Sequence, residues 1–497
     1  MDVTALQNHI SVLEDRLEES VQAQAQLMAE DRGWAKLTSD ATGVMNGSQR
    51  HATSLTCRAA SVINPLLKRG LAVRAGYIWG QGVGITLKDD ALNAVVQDFL
   101  DDDETRMQLT GHQAHVDLEN RMGVDGNYFC ALFTDPYTGR VRPRLIDFHE
   151  VEDKITDPED KATTWFYVRS YTRRRDPMDP ASGEETVKVY HPDLRYRPVV
   201  RPRFADGDRK VMIRWDAPII HVHDNGAPGE GWGIPDVWAG LPWARLYSEF
   251  MTDWAKLAKA IARIAFVASG DSRTAAQRMR TAMAHAQHQG EAGGTIVTTG
   301  DMQLKGNPAS GVQMSAESGR PIASLVAAAL GIPVTQLTAD PGATGARAVA
   351  ETLDKPTMLE MQGRRHLHQE FFRAVINHVI DSAALAPGNP HGLRGTLVRD
   401  GNQLLVQVQQ DRAIDFEWPS LTDETMTDTV RAVVEAWSTG LLPAKTGMLR
   451  LLRALGVRDP DAVVAQYVDA DGNLNVPDAD LVAAHGLTPG GDYAGAG

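Results

Sequence analysis

Several residue groups in this 497-residue chain could do chemistry. His221-Val222-His223-Asp224 is the sharpest. In a strand, residues two apart share a face, so both imidazoles could meet one metal ion, with Asp224 beside them. A metal-dependent hydrolase needs further ligands, and His149, His191 and His391 stand at no recurring spacing. Gly80-Gln81-Gly82-Val83-Gly84 has the glycine content of a phosphate loop. It lacks the Lys-Ser/Thr pair of a P-loop and the helix that a dinucleotide site requires. His366 and His368 fall about 200° apart around a helix and cannot chelate one ion. No Gly-x-Ser-x-Gly occurs, and Cys57 and Cys130 lie in apolar surroundings that predict buried thiols. The acidic run Asp101 to Glu104 has the pattern of a solvated helix end. None of these patterns specifies catalysis, a cofactor or a bound metal.

The elements around these residues are more specific. An Ala-rich helix ends at Gly331-Ile332-Pro333. A polar loop follows: Thr338, Ala339, Asp340, Pro341, Gly342, Ala343, Thr344 and Gly345. From Ala346 to about Ser382 the sequence reads as one helix, interrupted only by Pro356 and Gly363 and roughly 55 Å long at ~1.5 Å per residue. A second long helix is expected from Pro235 to about Val267, with Trp238, Tyr247, Phe250, Trp254 and Ile261 on a broad apolar face. Between residues 127 and 223, short β-rich runs separated by turn signals predict an antiparallel sheet. Ser54 to Val73 reads as one helix despite Pro65. Asp90 to Asp103 and Met107 to Arg121 are further helices. Near the N-terminus, Leu6, Ile10, Leu13, Leu17 and Leu27 keep a 3.5-residue spacing that Ser20 and Gln24 weaken, as in an amphipathic helix. The class is α+β.

Charge narrows the partners. The net charge of −14 is concentrated at the ends: residues 1–31 and 458–497 each carry seven acids and one arginine, leaving a nearly neutral body. Such a chain has no overall basic excess of the kind DNA-gripping domains show. Local clusters (Arg140, Arg142, Arg144; Arg173 to Arg175; Arg197, Arg201, Arg203) suit solvated faces or subunit contacts. No apolar run reaches the ~18–20 residues of a membrane span, so no membrane partner is expected and a cytoplasmic site of synthesis is.

The order of elements, with local sequence, resembles the portal proteins of tailed double-stranded-DNA bacteriophages of the long-tailed type. Asn64-Pro65-Leu66 through Arg69-Gly70-Leu71-Ala72 to Gly80-Gln81-Gly82-Val83 is similar to the portal segment where an early helix leads to a glycine turn. Asp125-Gly126-Asn127-Tyr128-Phe129 is similar to the portal strand opening. Ile220-His221-Val222-His223 running into Gly231-Trp232-Gly233-Ile234-Pro235 resembles the approach to the stem helix. Leu330-Gly331-Ile332-Pro333-Val334-Thr335-Gln336-Leu337 resembles the turn before the tunnel loop. The likeness covers residues ~55 to ~440.

The resemblance implies an N-terminal helical segment (1–40), a wing (41–234), a stem helix (235–268), a small α/β clip (269–316) and a second stem helix (317–337). It continues with a DNA-facing tunnel loop (338–346), a long wing helix kinked at Pro356 (347–386), wing strands (387–421), and a crown with an acidic tail (422–497). It also implies a ring of about twelve copies at one capsid vertex of a virion, a head-tail connector for DNA packaging and ejection. Its partners would be double-stranded DNA passing without sequence readout, the terminase large subunit, a head-tail adaptor, and major capsid and scaffolding proteins. The apolar face Trp238, Tyr247, Phe250, Trp254, Ile261 would meet neighbouring subunits. Such a conduit is not an enzyme. The alternatives are a hydrolase built on His221, His223 and Asp224, or another virion component such as an adaptor or minor capsid protein.

Overall fold

Asn64 and Pro65 decide the first architectural feature. The Asn64 side-chain oxygen accepts from the backbone N–H groups of Leu66 and Leu67, and Pro65 takes the first helical position, where its missing N–H is harmless. One expected helix therefore becomes two, α1 (Gly47–Ile63) and α2 (Pro65–Trp79). Asn64 also donates to the Ala244 carbonyl at 3.1 Å, anchoring the break to a distant helix.

The structure is a computed structural model that describes residues 45, 47–80, 82–176, 178–179, 183–205, 211–262, 264–270, 277, 294–299, 316–339, 347–419, 430–433, 435–436, 444–454 and 464. The N-terminal segment, most of the clip and crown ranges, Asp340 to Gly345 and the Ile261 side chain lie outside the described residues. Residues up to Pro419 form one compact unit and Ser420–Gly497 a second. In the second unit Val433 and Val464 are buried.

After α2, strand β1 (Gly84–Leu87) leads to α3 (Asp90–Asp101), which buries Leu92, Val95, Val96 and Phe99 at helical spacing. The expected continuation to Asp103 fails because Asp102 is extended and caps a new turn by accepting from Glu104 N–H. A π-helical turn (Arg106–Thr110) precedes α4 (His112–Asp125), which ends on Gly126 at φ +68°. Strand β2 (Asn127–Thr134) is the centre of an antiparallel sheet ordered β3–β2–β8, with β3 at Val141–Ile146 and β8 at Ile219–His223. A second sheet joins β4 (Val151–Thr156), β5 (Thr164–Arg174), β6 (Glu184–Pro192) and β7 (Met212–Ile213) in that order. Its first three strands run antiparallel and β7 pairs parallel. Phe129, Ile146, Phe148, Val151, Tyr167, Ile219 and Trp232 form a shared core between the two sheets.

Helix α5 (Asp236–Ala262) carries Pro242 inside it and stops short of Val267. The β-branched and aromatic run that follows forms β9 (Ile264–Gly270), paired in parallel with β10 (Gly294–Thr299). Helix α6 (Arg320–Ala329) packs along α5, where Gly240 approaches Ala329 and Val326. A short helix α7 (Val334–Thr338) precedes α8 (Arg347–Leu385), 39 residues that run through Pro356 without a break. Phe371, Phe372, Val375, Ile376, Val379 and Ile380 bury one side of α8. Strands β11 (Thr396–Asp400) and β12 (Gln403–Gln407) form a hairpin, and β13 (Ile414–Glu417) returns to pair with β1. Helix α9 (Ala444–Ala454) belongs to the last unit. The class is α+β with open sheets.

The chain enters α5 through a close backbone crossing. A Cβ on Gly233 would lie 1.9 Å from the Gly126 carbonyl oxygen and 2.6 Å from that of Asp224. Gly233→Ala is therefore expected to destabilise the fold by about 2 kcal/mol or more. Gly76→Ala, on exposed helix with nothing within 4 Å of the new methyl, should stabilise it by roughly 0.5–1 kcal/mol. Paired denaturant titrations check both signs.

Candidate functional site

The histidine pair of β8 does share a face, with ring centroids 5.1 Å apart. His221 is already engaged through Nε2 and its ring face, however. Its Nε2 donates to Asn127 Oδ1 at 3.0 Å and its ring stacks on Phe129 at 4.3 Å. Burial, then the neighbouring His223 and Lys154, hold its pKa well below the ordinary value. Asp224 turns away and pairs with Arg364 at 2.7 Å. Among the described residues no group of three or more His, Cys, Asp or Glu could hold a metal ion. The arrangement supports a strand end, not a hydrolase centre.

A Ser–His–Asp set invisible in the sequence occurs at Ser54, His149 and Asp125. Ser54 Oγ donates to Asp125 Oδ1 at 2.5 Å, and His149 Nε2 lies 3.2 Å from the same hydroxyl. A serine nucleophile must give its proton to the imidazole and reach substrate. Here the proton goes to a carboxylate already clamped by Arg58, and Ser54 is 0% exposed. The set braces α1 against the end of α4. Cys57 and Cys130 are buried free thiols, as expected, and burial pushes each up to about 12.

The most organised polar feature is a buried ionic junction. Arg74 (α2), Glu119 (α4), Asp236 (α5) and Arg364 (α8) all have side chains at most 4% exposed. Arg364 bonds Asp236 and Asp224 and lies 3.6 Å from Glu119. Arg74 lies 3.4 Å from both Glu119 and Asp236, and its Nη1 donates to the Leu330 carbonyl at 2.7 Å. His368 Nε2 reaches the second Glu119 oxygen at 3.1 Å, and its Nδ1 meets the Tyr128 hydroxyl at 3.2 Å. Two guanidinium groups thus face two fully buried carboxylates, with Asp224 and Glu360 at the margin. Burial alone would raise the Glu119 pKa, but Arg364, the His368 bond and Arg74 overcome it and hold it down to about 2. Burial keeps His368 below its ordinary value. Uncompensated, any one of these charges would be very unfavourable; together they are mutually satisfied.

The junction and the end of α2 hold the elements on either side of residues 340–346. Arg74 and Glu360 flank the Leu330–Gly331 turn, where Gly331 sits at φ +63° and an added Cβ would strike the Glu360 carboxylate. Gln336 of α7 donates to the Tyr77 hydroxyl. On the far side, Arg365 donates to the carbonyls of Tyr77 and Ile78 at the end of α2, and of Pro419. The helices before and after residues 340–346 are therefore both fastened to α2. Thr338 and Ala339 are exposed, Ala339 at φ +55°; Asp340 to Gly345 lie outside the described residues. Pro356 is exposed within continuous α8.

The predicted apolar face of α5 is only partly satisfied within the chain. Phe250 and Tyr247 lie against Gly319 at the start of α6, whereas Trp238 is 39% exposed. Trp254 is half-buried. Many of the arginines singled out in the sequence meet carboxylates of their own chain: Arg140 with Asp102, Arg144 with Glu104, Arg173 with Glu185, Arg197 with Asp381. Sequence reasoning passed over Arg74, Glu119 and Arg364. Their signal was charge inside an apolar stripe: Arg74 beside Leu71, Ala75 and Ile78, and Arg364 three to four residues from Met361 and His368.

No family model matches this chain, and no curated protein matches it. Among solved structures, a chain from the neck of an empty gene transfer agent (GTA) particle computed with C6 symmetry is 14% identical. The match covers 85% of this chain and 96% of that one at a TM-score of 0.38. A chain from the virion of a native gene transfer agent particle is 13% identical, over 88% and 94%, at 0.37. One from the neck of a native particle computed with C12 symmetry is 15% identical, over 80% and 92%, also at 0.37. At scores this low the likeness carries no weight for fold or function. No helix among the described residues is long and apolar enough to cross a membrane.

Two expectations follow from the junction and its surroundings. Arg364→Met leaves Glu119 and Asp236 buried without their main partner and should cost roughly 3–5 kcal/mol of stability. Arg245→Ala, which removes only an exposed pair with Glu249, should change stability by less than about 0.5 kcal/mol; chemical denaturation distinguishes them. The second concerns pH. Burial holds His115 and His191 down to about 4, and burial with Arg197 holds His378 to about 3. These imidazoles stay neutral in the folded chain while the unfolded chain protonates below about pH 6.5. Stability is therefore complete above that value and drains as pH falls towards 4, each tenfold difference in proton affinity between the two states being worth ~1.4 kcal/mol. Glu119, held down to about 2, keeps its charge throughout this window. Calorimetric melting temperature should fall steeply from about pH 6.5 to about pH 4.5, and a flat profile would refute the assignment.

Proposed function

We propose that this chain is the subunit of a portal-type ring in a phage-like virion, a conduit for double-stranded DNA during packaging and ejection. The observation that carries the reading is the framing of residues 340–346: the helices before and after them, α7 and α8, are both fastened to the end of α2. The pairing of α5 with α6, and the order of elements from wing sheet through stem to long helix, support it. In this reading α5 and α6 form the stem, and Thr338 to Gly345 constrict the channel. A sliding duplex must not be gripped, because each Lys or Arg contact to phosphate adds salt-dependent affinity. The loop has one acid, Asp340, and no base before Arg347, which suits passage without sequence readout. Pro356 lets α8 bend as the loop moves. Exposed Trp238 and half-buried Trp254 are the contacts offered to neighbouring copies. Energy comes from a terminase docking on the ring, and an adaptor, capsid and scaffolding proteins complete the vertex.

The hydrolase alternative has no support in the geometry, since Asp224 is spent on Arg364. Deleting Asp340 to Thr344 tests the conduit reading directly. Rings near twelvefold should still be seen by native mass spectrometry and cryo-electron microscopy, while DNA packaging is lost. Normal packaging by the deletion variant would overturn the loop assignment; a chain that stays monomeric under all assembly conditions would overturn the ring.

A further inference from the structure

A groove of about 630 Å³ opens between α1, α2 and α4. It is lined by apolar Val62, Leu71, Val116 and Val124, by Lys68 and Arg121, by Asp117, and by Arg58 with its paired Asp125 and Asp147. Val62 is 75% exposed and the adjacent Ile63 80%, an unusual cost for two β-branched residues at one helix end. Lys68 and Arg121 are unspent. Arg121 donates only to the Ile146 carbonyl at 3.3 Å, and neither it nor Lys68 meets a carboxylate among the described residues.

We propose that the groove receives this chain's own N-terminal segment, with Ile10, Leu13 and Leu17 on its floor. Three observations select that occupant. The first is length: as a helix, Ile10 to Leu17 rises ~10 Å, and Val116 to Val124 along the groove rises ~12 Å. Ser20 and Gln24 interrupt the apolar seam before Leu27, which weakens a coiled coil sustained over three to four heptads but leaves Leu6 to Leu17 long enough for this groove. The second is charge. Residues 1–31 carry seven acids and one arginine, with Glu14, Asp15, Glu18 and Glu19 beside the stripe, and the groove, whose Asp125 and Asp147 are spent on Arg58, offers Lys68 and Arg121 against the single acid Asp117. The third is reach: residues 18–46 can span up to ~95 Å, whereas α1 carries the chain only ~23 Å from Gly47 to Val62. An isolated helix this short is marginal in water, so the groove supplies the packing it lacks. The inference is independent of the portal reading.

Hydrogen exchange with mass spectrometry on the full-length chain tests it. Amides of residues 6–19 should exchange at least ~10-fold more slowly than an unstructured segment. That protection should be lost in Leu13→Asp and in Val62→Asp, and weakened in Lys68→Glu, while the α8 core amides stay protected and report an intact fold. Exchange of residues 6–19 at the unstructured rate in the wild type would overturn the proposal. So would protection that survives Val62→Asp and Lys68→Glu with the fold intact, since the segment would then be seated elsewhere.

Discussion

The structure depends on two arginines placed where water cannot reach them. Arg74 and Arg364 each face Glu119 and Asp236, and every one of the four comes from a different helix. A buried charge tolerates no drift: if one helix slid by a residue, a carboxylate would lose its partner in a medium that cannot solvate it. The junction therefore specifies the relative register of α2, α4, α5 and α8 far more sharply than apolar contacts would. Hydrophobic residues of similar volume could match its stability, because desolvating two ion pairs offsets much of their attraction. What they could not supply is a single permitted alignment.

That constraint propagates outward along the helices it joins. Asp236 opens α5, so the start of that helix is fixed by the junction itself. Arg74 also holds the Leu330 carbonyl, so the end of α6 is fixed by the same side chain. Arg364 and Arg365 point to different sides of α8, one into the junction and the other onto the last carbonyls of α2. From Met361 onward α8 is buried along one side, whereas Lys355, Pro356, Leu359 and Glu360 stand exposed.

The sequence carried the elements better than the junction between them. Long periodic helices, the α+β class and the buried cysteines were legible because each rests on local spacing or composition. Boundaries failed where one residue's geometry overrode the pattern: Asn64 capping a new helix, Asp102 turning extended, and the Ile264 run leaving α5 for a strand. The junction was illegible for a different reason. Its members lie up to 290 residues apart, and each alone looks like an ordinary surface charge on a helix. Only their shared position in apolar stripes marks them, and no single stripe reveals its partner. The histidine lure failed in the opposite direction: β8 brought His221 and His223 together as its period requires, but Asn127, Phe129 and Arg364 had already claimed the groups a metal would need.

Catalytic sites and mechanical junctions use the same buried charges, and electrostatics alone does not tell them apart. Here three features do. The carboxylates have no open approach, since Glu119 is 0% exposed and Asp236 is capped by two guanidinium groups. The titrating groups do not share a poise near neutrality: the two arginines hold Glu119 down to about 2, burial lowers His368, and burial raises Asp236 against the pull of Arg74 and Arg364. Finally, the hydrogen bonds that leave the junction end on backbone carbonyls and helix starts, at Leu330 and Asp236, where they set chain direction. A site built for chemistry leaves one partner missing until substrate arrives. This one is complete without a ligand, and what it positions lies at the ends of its helices.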